Sequence, residues 1–149
     1  MKYVIENGEL WIVDEELGLL LTSPSPQSPE QLFYPNGNLR MEAHFTHDKL
    51  HGPSIFYSEA GVVLSKTWFY LGVAQGKAWH YYPSGKLFSI QRFKDGARVG
   101  MQEYYYEDGS PKTFMPYDDQ GRLHGVVKMY TVDGTLKRER AFNHGVPLD

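Results

Sequence analysis

Glycine returns every 24 residues through most of this chain, and a period of that length constrains the architecture before any single motif does. Gly37 in Tyr34-Pro35-Asn36-Gly37 is followed by Gly61, by Gly85 in Tyr82-Pro83-Ser84-Gly85 and by Gly109 in Tyr106-Glu107-Asp108-Gly109, each 24 residues on. The next copy, Tyr130-Thr131-Val132-Asp133-Gly134, carries one extra residue. A second column, Gly52, Gly76, Gly100 and Gly125, closes the units. A third, Gly72, Gly96, Gly121 and Gly145, stands four residues before each closure, with Asp48 and Asp149 in the gaps. Two aromatic columns keep the same register: Phe45, Phe69, Phe93, Tyr117 and Phe142, and Phe33, Tyr57, Tyr81 and Tyr105 with Met129 in the last copy.

Each unit reads as strand, turn, strand, turn. Asn-Gly, Ser-Gly and Asp-Gly at the first turn suit positions that need positive φ. The second strand keeps apolar residues at the columns of Leu39 and Phe45, while the positions between vary from Arg40 to Phe88 to Lys112. That pattern predicts a sheet with one well-buried and one partly solvated face. A lone hairpin is marginal in water, whereas stacked hairpins share a continuous apolar strip. The expected fold is therefore all-β: an elongated, gently twisted, single-sheet antiparallel array of about five hairpin repeats. The units span approximately 31–52, 53–76, 77–100, 101–125 and 126–149.

Ahead of the repeats, Tyr3-Val4-Ile5-Glu6, Asn7-Gly8 and Glu9-Leu10-Trp11-Ile12-Val13 give a strong hairpin signal. Residues 1–21 are expected to form an N-terminal capping hairpin, with Leu17-Gly18-Leu19-Leu20-Leu21 as a further strand or a docking segment. Residues 22–30 hold three prolines and read as a Pro/Ser-rich linker or loop.

The repeats resemble the bacterial variant of the MORN repeat. The likeness rests on Tyr-Pro-Asn-Gly-Asn-Leu, Tyr-Tyr-Pro-Ser-Gly-Lys-Leu and Phe-Lys-Asp-Gly-Ala-Arg-Val-Gly, and covers roughly residues 31–149. It implies an extended β-hairpin fold without catalytic residues. Some bacterial relatives are associated with antitoxin or immunity roles, and eukaryotic relatives with membrane lipids or scaffolding. The sequence departs from the usual unit at Ser58, where most copies have Tyr, and at Asp48, where they have Gly.

Composition removes several alternatives. A net charge of −3 gives no basic footprint for a nucleic-acid backbone. No apolar run reaches the roughly 20 residues of a membrane-spanning helix, and the first residues do not read as a signal peptide. A cytoplasmic location is expected. With no cysteine, thiolate catalysis and cysteine-ligated zinc are out of reach. His44, His47 and His51 have helical metal-ligand spacing, but the repeat puts them in a strand and its following turn, and Gln75, Val99 and His124 occupy the His51 column. Asp118-Asp119 and Asp14-Glu15-Glu16 read as solvated turns rather than paired catalytic acids. The expectation is a non-enzyme that needs no cofactor and no metal.

What remains is a surface. Trp68, Tyr70, Trp79, His80, Phe88 and Tyr104 are large residues at columns where other copies are small or polar, and aromatic anchors are enriched at binding hot spots. They are the candidate partner-binding residues. In Lys137-Arg138-Glu139-Arg140, strand alternation sends Arg138 and Arg140 to one face and the other two to the opposite face. The expected function is a protein-protein interaction module, of antitoxin, immunity or scaffold type, binding through a sheet face or an edge. Homodimers through exposed edges are a further expectation, and a peripheral lipid-binding adaptor is the alternative.

Overall fold

In a computed structural model the chain is described over residues 1–24 and 29–148. Residues 25–28, the middle of the Pro/Ser-rich segment, lie outside the described residues. The repeats build one open antiparallel sheet of 12 strands. They run from β4 (Glu30–Phe33) and β5 (Leu39–Thr46) through β6 (Lys49–Tyr57), β7 (Val63–Tyr70), β8 (Val73–Tyr81) and β9 (Leu87–Lys94). The short β10 (Ala97–Arg98) pairs with β9, and β11 (Gly100–Tyr105), β12 (Pro111–Tyr117), β13 (Gly125–Tyr130), β14 (Leu136–Asn143) and β15 (Val146–Pro147) continue the series. Apart from β10, which lies off this path so that β11 follows β9, sequence neighbours are spatial neighbours, as a hairpin repeat demands.

Two kinds of turn alternate along the sheet. His47-Asp48, Leu71-Gly72, Asp95-Gly96 and His144-Gly145 turn the chain near the end of each unit through two residues that both have positive φ, the geometry whose twist matches flanking strands. The other turn is wider: the amide of Gly37, Gly61, Gly85, Gly109 or Gly134 donates to the carbonyl three residues earlier. At three of these wider turns a tyrosine staples its unit to the next. Tyr34, Tyr82 and Tyr106 donate their hydroxyls to the carbonyls of Tyr57, Tyr105 and Tyr130 at 2.7, 2.8 and 2.8 Å.

Ser58 occupies the equivalent position in the second unit, and its hydroxyl instead accepts the Val62 amide at 3.1 Å. Restoring the staple with Ser58→Tyr is expected to stabilise the protein by about 1 kcal/mol, the typical net value of one added hydrogen bond. Urea unfolding checks this, and an unchanged or lowered midpoint counts against the staple as a stabilising element.

The N-terminal segment forms a sheet of its own, in the order β1 (Lys2–Glu6), β2 (Glu9–Asp14), β3 (Leu19–Thr22). Asn7-Gly8 makes the tight turn, both residues having positive φ, and the leucine run supplies β3. Ile12 and Leu19, at 0% and 5% exposure, are its core. This sheet adds no strand to either end of the repeat sheet. It lies on the side of the early repeats, leaving all of β4 exposed at one edge and the two-residue β15, with Pro147, at the other. Close approach there explains one member of the closing glycine column. Gly52 has φ 110°, and a Cβ at that position would come within 3.0 Å of the Tyr3 hydroxyl.

Candidate binding surfaces

Directly paired residues of neighbouring strands share a face, so the register sorts the side chains. Pro53 pairs with Trp68, Lys77 with Arg92, and Trp79 with both Lys66 and Ile90, which puts them on the first face. His80 pairs with Ser65 and Ser89, and Tyr104 with Ser89 and Thr113, on the second.

The first face carries the N-terminal sheet. Tyr3 packs on Trp68 with ring centroids 5.3 Å apart, and burial raises the Tyr3 phenol above its ordinary pKa. Tyr70 donates its hydroxyl to the Thr22 carbonyl at 2.7 Å. Glu16, in the loop after β2, pairs with Lys77 and, at 2.8 Å, with Arg92. The hydrogen bond from Lys77 is the main cause that holds the Glu16 carboxyl below the usual range, with Arg92 adding to it. Arg92 also meets Glu103 at 2.5 Å and the Met101 carbonyl at 2.6 Å. Glu103 in turn accepts the Tyr105 hydroxyl, whose pKa burial and this carboxylate push up to about 12.

The histidine column has a structural task. His51 lies in β6, not in the preceding turn, and its Nδ1 accepts the amide of Leu71, the first residue of the next tight turn, at 3.1 Å. Gln75 does the same for Asp95 and His124 for His144. Three of the four residues in this column, two histidines and a glutamine, therefore share one job, supplying an acceptor to a turn amide in the following unit. Val99 has no acceptor, and in that unit Asp118 caps its own enlarged turn through the amides of Gln120 and Arg122.

Because Nδ1 of His51 accepts, Nε2 carries the proton and donates to the Ser23 hydroxyl at 2.8 Å. Burial lowers the pKa of His51 below 6.5. The unfolded chain then takes up the proton first, so the contribution of this group to stability is complete above about pH 6.5 and is lost as pH falls through the folded value. Wild-type protein is expected to lose more stability between about pH 7 and about pH 5 than His51→Gln, which imitates Gln75 with a side chain that does not titrate. Equal pH slopes in parallel denaturation curves would contradict this role.

Asp118 gathers the other histidine chemistry. His144 Nδ1 lies 2.7 Å from Asp118 Oδ2, Arg122 Nε lies 3.1 Å from it, and the His124 and His144 rings stack at 4.2 Å. The hydrogen bond from His144 is the main cause holding the Asp118 carboxyl well below the ordinary carboxylate range. Among the described residues no three metal-ligating side chains converge.

The six aromatic and histidine candidates fall on both faces. Trp68 is buried beneath Tyr3, and Tyr70 is committed to Thr22. Trp79 is half-buried on the same face. His80 is half-buried on the second face, where burial lowers its pKa. Phe88, the extra residue at the bulge opposite His80 and Tyr81, packs edge-on against Tyr82 and Tyr104 at 5.2 and 6.1 Å. The Tyr104 hydroxyl accepts from Gln91 at 3.0 Å. The hydrogen bonds, ion pairs and ring contacts from the N-terminal sheet meet His51, Trp68, Tyr70, Lys77 and Arg92, all on the first face. Sequence columns marked Met129 only as the exception in an aromatic column and left Met115 unmarked, yet both lie in hollows on the second face of the last repeats. Alternation was the available signal, since it does bring Arg138 and Arg140 to that face beside them.

The family model described as MORN repeat variant matches residues 28–47 and 75–95, and the chain carries units of that kind at both places. The first stretch contains the β4–β5 hairpin and the second most of β8 and all of β9, each ending at a tight turn. No curated protein matches the chain. Among solved structures, the crystal structure of accessory secretory protein 1,2 and 3 in Streptococcus pneumoniae is similar at 17% identity and a TM-score of 0.39. The match covers 72% of this chain and 20% of that one, so this chain spans about a fifth of that length.

Proposed function

For a chain that carries MORN-variant hairpins, we propose a non-catalytic role as a protein-protein interaction module that binds its partner through the open second face of the sheet. One observation carries this reading: the bonds and ring contacts of the N-terminal sheet with His51, Trp68, Tyr70, Lys77 and Arg92 fall on the first face, while the second presents His80, Phe88 and Tyr104 in partly exposed positions. The first face supports it by analogy within the molecule, because its repeat columns already hold a β-sheet through aromatic stacking and ion pairs. An antitoxin, immunity or scaffold partner is the form of this role that the family resemblance favours.

The test is crosslink-coupled capture from the source cells, followed by affinity measurement with the purified partner. Tyr104→Ala and His80→Ala are expected to weaken binding by about tenfold or more while leaving the unfolding midpoint near wild type. A partner insensitive to both, or binding to anionic vesicles with no protein partner, defeats the proposal. The vesicle result would favour a peripheral lipid adaptor instead.

A further inference from the structure

On the second face, the last two repeats form an apolar groove edged by cations. Met129 pairs with Arg138 and Val127 with Arg140, so alternation brings two guanidiniums and two apolar side chains to the same side. A cavity of about 220 Å³ lies there, with Met115, Leu123, Val127, Met129 and Phe142 as its apolar lining. A second hollow of about 270 Å³ shares Met115 and Met129 and ends at Tyr104 and Lys112. Met115 and Met129 line both hollows, which lie side by side along this face.

Its charge runs against that of the molecule. The chain has 18 acidic against 15 basic residues, yet Arg138, Arg140 and Lys112 edge this groove, and all three are exposed. Glu139 contributes to one wall, but its place in the strand register, opposite Lys128, assigns its side chain to the other face. Among the described residues neither arginine forms an ion pair. Guanidiniums without carboxylate partners beside an apolar floor are suited to a ligand that brings its own carboxylates. Methionine supplies an adaptable floor for side chains of varied shape. A net charge of −3 opposes docking of the whole molecule on an anionic membrane, whereas a single acidic segment experiences the local cationic field.

We propose that this groove binds an acidic, apolar-rich segment of a partner protein, with hydrophobic side chains on Met115 and Met129 and carboxylates on Arg138, Arg140 and Lys112. The inference rests on the reading of the chain as a protein-binding module and extends its site from Tyr104 to the C-terminal repeats. The probe is a fluorescein-labelled peptide of alternating glutamate and leucine, titrated with the full chain and followed by anisotropy. Control peptides carry lysine for glutamate or serine for leucine, and phosphatidylserine vesicles form a separate arm.

Saturable binding of the acidic apolar peptide is expected, weakened about tenfold by either control substitution, by added salt and by the Arg138→Glu/Arg140→Glu double variant. If that variant melts early, Arg138→Gln/Arg140→Gln replaces it, with a loss of about threefold expected. Equal affinity for wild type and variant, no peptide binding, or a preference for vesicles over peptide would overturn the inference. If it is overturned while a natural partner still depends on His80 or Tyr104, the broader protein-binding reading stands without it; loss of both ends both.

Discussion

Trp68→Ala is expected to release the N-terminal sheet and to cost about 3–5 kcal/mol, the range for truncating a large aromatic in a packed site. Trp68 is 7% exposed, and Tyr3 lies across it at 5.3 Å with the planes inclined by 58°. Such a pair is worth about 0.5–1.5 kcal/mol beyond the area it buries. Of the remaining links, Tyr70 to Thr22 and Glu16 to Lys77 and Arg92 are polar and partly solvated, where each contributes little alone, and the buried His51 adds one hydrogen bond to Ser23. They give orientation, and Trp68 supplies the anchor. Hydrogen exchange should therefore accelerate throughout β1–β3 in the variant while the amides of β12–β14 keep their protection, since repeat units couple chiefly to near neighbours. A loss below about 1 kcal/mol with β1–β3 still protected would show that the ion pairs, not the aromatic pair, hold this sheet.

Gln102→Ala is expected to cost a similar amount, about 3 kcal/mol or more, by opening the junction between the third and fourth units. β8 and β9 are paired from Gly76 opposite Phe93 to Tyr81 opposite Leu87, whereas β9 and β11 share only Glu103 with Ile90 and Tyr104 with Ser89. The missing ladder is filled by the side chain of Gln102, which has 0% exposure. Its Oε1 accepts the Arg92 amide at 2.8 Å, and its Nε2 donates to the Val99 carbonyl at 2.9 Å. Alanine would leave both backbone groups buried without partners, at about 1–3 kcal/mol each, and would add a cavity. Because the junction joins two halves of a linear array, the urea transition should broaden or split as well as shift. A single transition within about 1 kcal/mol of wild type would mean that water or relaxed backbone replaces the amide.

Both residues show where reading by columns reaches its limit. Gln102 shares its column with Ser54, Ala78 and Val127, which gives no hint of a special task. Its role arises only because β10 and β11 are interrupted at Val99. Trp68 was legible as an unusual residue, but its occupant was not: Tyr3 lies in another sheet, and the supporting pair of Glu16 and Arg92 joins residues 76 positions apart. The histidine column is the converse case. Unlike residues suggested tolerance, and the geometry gives His51, Gln75 and His124 one hydrogen-bonding task.

The hairpins, their order, the all-β class and the position of nearly every turn follow from the residues along the chain. Each depends on a local requirement: positive φ in a short loop, period-two alternation in a strand, and apolar columns that only a neighbouring unit can bury. Which face is covered, and by what, depends on contacts between elements distant along the chain. Those outcomes depend on where a separate N-terminal sheet settles, on bulges that shift the register between units, and on ion pairs between residues remote along the chain. The glycine period was visible from the first unit, whereas a groove with Arg138 and Arg140 at its edge exists only once β12, β13 and β14 lie side by side.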